Sequence, residues 1–214
     1  MLNDRFKKIP LCVDMDGTLL KTDSLYELFL LLFKKNPLYC ILAVTWLMKS
    51  KAHFKAEITN SVQLSAEGLP YNEDIIEYIK AQDPEREILL VTGSNKKVAD
   101  SVAEHLGIFD EVIASDENIN LTGKNKREYL VERFGGPDDK GQDDINKNGF
   151  EYIGNEKADM PVWEVANKVS VVSQDNTFLR EVRQTFNDAN EFNLAKPSLK
   201  NYLKGIRIHQ WVKN

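Results

Sequence analysis

Residues 9–18 read IPLCVDMDGT, and this stretch decides the fold of the chain. Its apolar half, from Ile9 to Val13, predicts a strand that ends at Asp14. Side chains two residues apart on an extended segment point the same way, so Asp14 and Asp16 are expected to face one site. The stretch therefore predicts a strand with a pair of carboxylates just beyond its carboxyl end.

After this strand, the pattern of apolar residues first predicts a block of helices and then an alternation of strands and helices. Apolar residues at helical spacing predict four helices between residues 24 and 81, with Pro37 separating the first from the second. Further strands are predicted over residues 87–91, 111–114, 150–153 and 169–172, with helices between and after them. Such alternation indicates a parallel sheet with crossover helices, and active sites of such sheets lie at the carboxyl ends of the strands.

The composition of the chain excludes several classes of protein. The 214 residues carry a formal net charge of −5, which is typical of a globular chain without a general attraction to nucleic acid. We expect one domain with room for one insertion. Cys12 and Cys40 lie in apolar runs and are expected to be buried rather than to form a disulfide framework or a zinc site. Residues 1–10 are charged and lack the apolar core of a secretory signal, which predicts a cytoplasmic protein.

Polar residues follow the predicted strands at the edge where a site is expected. They are Asp14 and Asp16, then Thr92, Gly93, Ser94 and Asn95, and finally Gly154, Asn155 and Asp159, with Lys126 on the helix between the last two groups. Carboxylate and amide oxygens bind Mg²⁺, whereas a hydroxyl, a lysine and backbone N–H groups hold phosphoryl oxygens. The set suits a phosphate ester held against a hard cation.

These residues make the sequence similar to the haloacid dehalogenase-like (HAD) hydrolase superfamily. Asp14 to Thr18 match the first motif, D-x-D-G-T, and Thr92 matches the second. Lys126 matches the lysine of the third motif, and Gly154, Asn155 and Asp159 match the acidic fourth motif. One residue departs from the usual pattern: the superfamily mostly has Asp where this chain has Asn155, so one negative charge is missing.

A narrower resemblance involves several short stretches. LPYN (69–72), VTGSN (91–95), FDEVIAS (109–115) and YIGNEKADMPVW (152–163) are similar to the hydrolase half of fusions with UbiA-type intramembrane prenyltransferases. In that subgroup the fourth motif commonly reads G-N-x-x-x-D, so Asn155 is then the usual residue. The segment IRIHQWVKN (206–214) resembles the stretch before the first membrane helix of such prenyltransferases, which implies a natural chain that continues beyond Asn214.

The superfamily resemblance implies a role for each site residue. Asp14 would be the nucleophile that forms an aspartyl-phosphate, and Asp16 the general acid and base, with its backbone carbonyl on the metal. Thr92 and Lys126 would hold the phosphoryl group and offset its charge. The metal would be Mg²⁺, held by Asp14, Asp16 and Asn155, with Asp159 binding it or orienting its ligands.

Some assignments stay open on the residues alone. Ser94 and Asn95, with Gly93, are candidates for phosphate binding, but capping of the next helix explains the first two equally well. Lys124 is the alternative to Lys126. Ser24 and Glu27 fit a capping box, although Glu27 could instead reach the pocket.

The resemblance also divides the chain. It implies an α/β fold with a Rossmann-like core over residues 1–20 and 86–190 and a small helical cap over residues 21–85. The apolar run at residues 38–48 is too short to span a bilayer, and it predicts either a helix–helix core or a surface for a lipid tail or membrane. Residues 191–214 form a tail with five basic residues from position 192 onward, which predicts contact with an anionic membrane on its cytoplasmic side. A solvated tail, or a helix packed on the body, is the alternative.

The functional hypothesis is therefore a Mg²⁺-dependent phosphatase acting on a small phosphomonoester. The narrower resemblance implies a lipid-linked or prenyl-pathway phosphate. A phosphotransferase would use the same aspartate. A non-catalytic domain that binds metal or phosphate and regulates a membrane prenyltransferase is the alternative from another class, and Asn155 is the residue that favours it.

Overall fold

Six parallel strands form the centre of the fold in a computed structural model that describes residues 9–49, 51–116, 120–136 and 148–193. The strands are β1 (Leu11–Val13), β2 (Ile88–Asn95), β3 (Glu111–Ser115), β4 (Glu151–Gly154), β5 (Lys168–Val172) and β6 (Asn190–Phe192). Their spatial order is β3-β2-β1-β4-β5-β6, and each neighbouring pair is parallel. This is the strand order of a doubly wound Rossmann-like sheet, so the predicted fold class is confirmed.

Helices form most of the connections. They are α1 (Ser24–Lys35), α2 (Tyr39–Lys49), α3 (Lys51–Ser61), α4 (Glu73–Lys80), α5 (Lys96–Leu106), α6 (Lys124–Phe134), α7 (Met160–Trp163) and α8 (Asn176–Thr185). Short 3₁₀ turns occupy Ala66–Gly68 and Lys157–Asp159. Among the described residues, no helix is both long and apolar enough to cross a membrane.

The sheet is covered on both faces, because side chains alternate along each strand. Leu11 and Val13 of β1 belong to one apolar cluster, which includes residues of α4 and α5. Cys12, between them, belongs to the other cluster, which includes residues of α6 and α8. Cys12 is fully buried, as predicted, and burial raises the pKa of its thiol well above the ordinary value. The side chain of Cys40 lies outside what the structure describes.

The segment between β1 and β2 holds the predicted cap. Helices α1, α2 and α3 pack against one another. Helix α4 buries Ile75, Ile76 and Ile79 in the apolar cluster of β1, and Leu28 of α1 and Ile58 of α3 belong to the same cluster. The boundaries of the cap at residues 21 and 85 stay a prediction. The predicted basic tail lies outside the described residues from position 194 onward, and so do residues 137–147, which precede β4 in the chain.

The capping box predicted for the first helix is wrong. Asp23, not Ser24, is the N-cap of α1, and its side chain accepts hydrogen bonds from the backbone N–H groups of Leu25 and Tyr26. Ser24 is buried instead. Its backbone N–H donates to the Asp16 carboxylate, and its hydroxyl contacts the hydroxyl of Ser94. An aspartate one position earlier satisfies the same free N–H groups, so the pattern S-x-x-E was not needed.

Candidate active site

A buried chain of polar contacts joins three elements at the carboxyl edge of the sheet. The Lys126 Nζ atom, on α6, donates to Asp14 Oδ1 at 2.8 Å and to Tyr152 Oη at 2.6 Å. The Tyr152 hydroxyl in turn donates to Asp159 Oδ1 at 2.8 Å, and Lys126 Nζ lies 3.6 Å from the same oxygen. All four side chains are buried. The lysine therefore links the carboxylate after β1 to the carboxylate that follows β4.

Burial and charge oppose each other in this cluster. Burial raises the pKa of the Asp14 carboxyl above its ordinary value, and Lys126 offsets only part of this effect. For Lys126, burial lowers the pKa, but the Asp14 and Asp159 carboxylates outweigh burial and the net pKa is raised. Burial, reinforced by Asp159, also raises the pKa of Tyr152, so its hydroxyl remains a hydrogen-bond donor. Lys126 is therefore a fixed positive charge that faces Asp14.

Asp16 faces a second group of polar residues, which lies between the core and the first helix. Its Oδ1 accepts from the backbone N–H of Ser24 at 2.7 Å, and its Oδ2 accepts from the Ser94 hydroxyl. The hydroxyl oxygens of Ser24 and Ser94 lie 3.1 Å apart. Burial raises the pKa of Asp16, while the bonds from Ser94 and Ser24 act in the opposite direction. An aspartate with a raised pKa suits the transfer of a proton.

The loop after β4 is held against the loop after β1. Asn155 Oδ1 accepts from the Thr18 hydroxyl at 3.3 Å. Gly17 has a φ of 71°, which strains any other residue, and a Cβ there would lie 2.1 Å from the Asn155 amide nitrogen and displace that side chain. Asp159 Oδ2 accepts from the backbone N–H groups of Asn155 at 2.9 Å and of Glu156 at 3.2 Å. Asp159 therefore fixes the position of Asn155, and its oxygens are already engaged.

Whether a metal ion could bind here depends on the oxygen atoms near the two loops. In the described part of the chain, no group of three or more His, Cys, Asp or Glu side chains could hold a metal ion. The donors predicted from the sequence are the Asp14 carboxylate, the backbone carbonyl of Asp16 and the Asn155 amide oxygen; Asp14 Oδ1 also accepts from Lys126, and Asn155 Oδ1 from Thr18. These are hard donors with a single carboxylate, which fits Mg²⁺ because this ion commonly keeps several of its waters.

Four residues predicted from the sequence remain to be placed: Thr92, Gly93, Asn95 and the alternative lysine, Lys124. Thr92 is buried near the end of β2, and its hydroxyl accepts from the backbone N–H of Ser94 at 3.0 Å. A Cβ at Gly93 would lie 2.7 Å from Thr122, so a side chain there would clash. Asn95 is the N-cap of α5 and accepts from the Lys97 N–H, whereas the alternative lysine, Lys124, is exposed.

Two residues of this region were not identified from the sequence. Tyr152 lies on β4, for which the sequence predicted a strand but no site residue; its register beside β1 brings its hydroxyl to Lys126. Lys55, on α3, donates from Nζ to the backbone carbonyl of Gly93 at 3.3 Å. No local signal marks Lys55, because its position depends on how the helices between β1 and β2 fold back over the sheet.

Comparison with known proteins assigns the family. The chain matches the haloacid dehalogenase-like hydrolase family over residues 11–162, and it belongs to that family. It is also 31% identical over 210 residues to the uncharacterized protein y4nM of Sinorhizobium fredii (strain NBRC 101917 / NGR234). This alignment covers 97% of the chain but 38% of the relative, so the chain spans less than two fifths of the length of the curated relative it matches.

Solved structures share the fold at low identity. A protein of unknown function from Bordetella pertussis Tohama I is 14% identical with a TM-score of 0.57, covering 86% of this chain and 97% of its own. The HAD family hydrolase t0658 from Salmonella enterica serovar Typhi is 12% identical with a TM-score of 0.53, covering 92% and 72%. A phospho-aspartyl intermediate analogue of phosphoserine phosphatase is 15% identical with a TM-score of 0.50, covering 92% and 98%.

Proposed function

We propose that the chain is a Mg²⁺-dependent phosphomonoester hydrolase in which Asp14 carries the phosphoryl group. The observation that carries this proposal is the 2.8 Å contact between Lys126 Nζ and Asp14 Oδ1 at the carboxyl end of a central strand. A carboxylate held by a buried lysine is oriented before the substrate arrives, and the positive charge favours the approach of an anionic phosphate. Phosphoserine phosphatase, which shares the fold, has been captured as an analogue of a phospho-aspartyl intermediate.

The proposed reaction has two steps. In the first, a carboxylate oxygen of Asp14 attacks phosphorus, and the bond from phosphorus to the ester oxygen breaks while Asp16 donates a proton to that oxygen. In the second, Asp16 takes a proton from a water molecule that attacks the aspartyl-phosphate. Inorganic phosphate then leaves and the Asp14 carboxylate is restored.

Thr92 and Lys126 are proposed to bind the phosphoryl oxygens, together with backbone N–H groups near Gly93 and Ser94. Ser94 has a second proposed role, because its hydroxyl already contacts Asp16 and holds the proposed acid in place. Asn95 is engaged in capping α5, so any contact it makes with phosphate would go through its backbone.

Mg²⁺, when bound, would neutralise charge on the phosphate and favour the ionised form of Asp14. Asp14, the backbone carbonyl of Asp16 and Asn155 are the proposed ligands. Asp159 is proposed to orient them, because both of its oxygens accept hydrogen bonds from protein groups.

The substrate and the cellular context belong to the same proposal. The family supports a small phosphate ester, and the narrower resemblance supports a lipid-linked or prenyl-pathway phosphate. The cytoplasmic location, the membrane contact of the basic tail and a C-terminal prenyltransferase domain in the natural chain also rest on the sequence. The greater length of the Sinorhizobium relative is compatible with a further domain.

Hydrolysis of p-nitrophenyl phosphate, with and without Mg²⁺, tests the proposal. The expected result is metal-dependent turnover that Asp14→Asn abolishes and that Asp100→Asn, the same change at an exposed ion pair on α5, leaves intact. Transfer of the phosphoryl group to an added alcohol would identify a phosphotransferase instead. If a broad panel of phosphomonoesters were silent and calorimetry showed no Mg²⁺ binding, the proposal would be refuted. Mg²⁺ or phosphate binding without turnover would support the regulatory domain, which Asn155 favours.

A further inference from the structure

Helix α2 carries most of the large apolar side chains that are exposed in the described residues. One side of the helix, with Tyr39, Ala43 and Trp46 at helical spacing, packs inward. The opposite side and the residue before the helix expose apolar side chains, here named the α2 face: Leu38, Ile41, Leu42, Val44, Leu47 and Met48. Ile41 is 66% exposed and Met48 is 82% exposed. All six residues are between 46% and 82% exposed.

An exposed apolar face of this size is unusual for a protein surface. A helix that is apolar all round is normally buried in a core or in lipid, and α2 carries no charged residue before Lys49. Contiguous exposed apolar patches mark sites of interaction with proteins, membranes or ligands. Of the two alternatives predicted for this run, the helix–helix core describes its inner side, and the outer side is exposed.

The charges beside the α2 face indicate what it contacts. Residues 28–56 contain five lysines and no Asp or Glu, although the whole chain has a net charge of −5. Lys34 and Lys35 precede α2 in the chain, Lys49 is its last residue, and Lys51 is the first residue of α3. An apolar surface between basic residues fits the boundary of an anionic bilayer, where acyl chains accept the apolar groups and headgroups attract the lysines.

A second copy of the chain fits this surface less well. In a two-fold symmetric pair the same patch faces itself, so the lysines that flank one α2 would meet the lysines that flank the other. Like charges brought together across an interface oppose association. A spanning orientation is also excluded for α2, because 11 residues are too few to cross a bilayer.

We propose that the α2 face docks the protein on an anionic lipid bilayer, with α2 lying in the interface. Helix α3 packs on α2, and Lys55 of α3 contacts the backbone carbonyl of Gly93. Docking would therefore bring the region around the candidate active site within one helix of the membrane surface.

Flotation of the full 214-residue chain with vesicles tests this proposal. Vesicles of phosphatidylcholine alone are compared with vesicles that also contain phosphatidylserine. We expect binding to the anionic vesicles that weakens as salt is added. The double substitution Ile41→Ser and Met48→Ser is expected to lower the binding constant at least about tenfold, since each side chain loses its burial in lipid. Because both side chains are exposed, the thermal unfolding midpoint of this variant should match that of the parent chain.

Two single lysine substitutions, one beside the α2 face and one on α4, test the role of charge in vesicle binding. Lys49→Gln is expected to weaken binding roughly fivefold, whereas Lys80→Gln, which removes the same charge from α4, should have no effect. Asp14→Asn should bind vesicles normally, so failure of the phosphatase proposal does not affect this test. Three results would overturn the docking proposal: no vesicle binding, binding unchanged by the double substitution, or self-association in the absence of lipid that the double substitution abolishes.

Discussion

Replacing Tyr152 with phenylalanine tests whether the buried polar chain behind Asp14 works as one unit. The substitution removes a single oxygen and keeps the ring, which packs in the core beside β1. That oxygen accepts from Lys126 at 2.6 Å and donates to Asp159 at 2.8 Å. Lys126 and Asp159 are both charged and buried. Lys126 contacts Asp14, and Asp159 holds the loop that carries Asn155.

The magnitude follows from these two contacts. A hydrogen bond to a charged group contributes about 1.5–3 kcal/mol to stability. The two losses are not expected to add, because Lys126 Nζ already lies 3.6 Å from Asp159 Oδ1 and the pair can close part of the gap. We therefore expect a net loss of about 1.5–3 kcal/mol, which lowers the melting temperature of a chain of this size by about 3–12 °C.

Two measurements check this prediction. Thermal unfolding of Tyr152→Phe is compared with that of Tyr39→Phe, whose hydroxyl makes no hydrogen bond with any residue in the described ranges. Turnover of p-nitrophenyl phosphate should fall about tenfold, because Lys126 is drawn towards Asp159 and away from Asp14. A melting temperature for Tyr152→Phe equal to that of the Tyr39 control would refute the reasoning, since the hydroxyl would then contribute nothing to a buried network.

Three further predictions concern substitutions that add or remove one negative charge. Glu151 is fully buried, and its Oε2 accepts from Arg86 at 2.8 Å. Glu151→Gln should destabilise the fold by about 3–5 kcal/mol in urea unfolding, because the Arg86 side chain, which is 10% exposed, loses its counter-charge. A loss below about 1 kcal/mol would contradict this. Asn155→Asp should tighten Mg²⁺ binding measured by calorimetry, because it adds a negative ligand; unchanged affinity would argue against Asn155 as a ligand. A hydrogen bond from Arg133 lowers the pKa of Glu111, so this pair stabilises the folded protein above the ordinary pKa of the carboxyl and the effect is lost as pH falls through the lowered value. Glu111→Gln should thus cost up to about 1 kcal/mol at neutral pH and nothing in strong acid, and an equal cost at both pH values would be inconsistent with this account.

Much of the fold could be predicted because each core strand is short, apolar and followed by a helix. The β1 strand and the crossover pattern were enough to indicate a parallel sheet. The β6 strand was not predicted, since Asn190–Phe192 has only three residues and one aromatic side chain. The β2 strand extends to Asn95 through a register shift, whereas polar residues after Val91 suggested an earlier end.

The candidate site was predicted as a set of residues but not as a set of contacts. Motif spacing places Asp14, Thr92 and Lys126 at one edge of the sheet, but it contains no information on which polar side chains touch. Tyr152 and Lys55 join the region through tertiary packing alone, over separations of 26 and 38 residues. Long-range contacts of this kind depend on register and helix packing, which a local pattern does not encode.

The order of the strands explains why the polar residues converge where they do. From β1 the chain leads outward to β2 and β3 on one side, and it returns to β4 on the other side of β1. The connections therefore diverge between β1 and β4, which opens a crevice at the carboxyl ends of these two strands. Asp14 follows β1 and Asn155 follows β4, so the loops that carry them face each other across that crevice, where the Thr18 hydroxyl reaches Asn155. The lysine on α6 reaches Asp14 on one side of this crevice and lies 3.6 Å from Asp159 on the other, so the strand order brings the two carboxylates to one buried lysine.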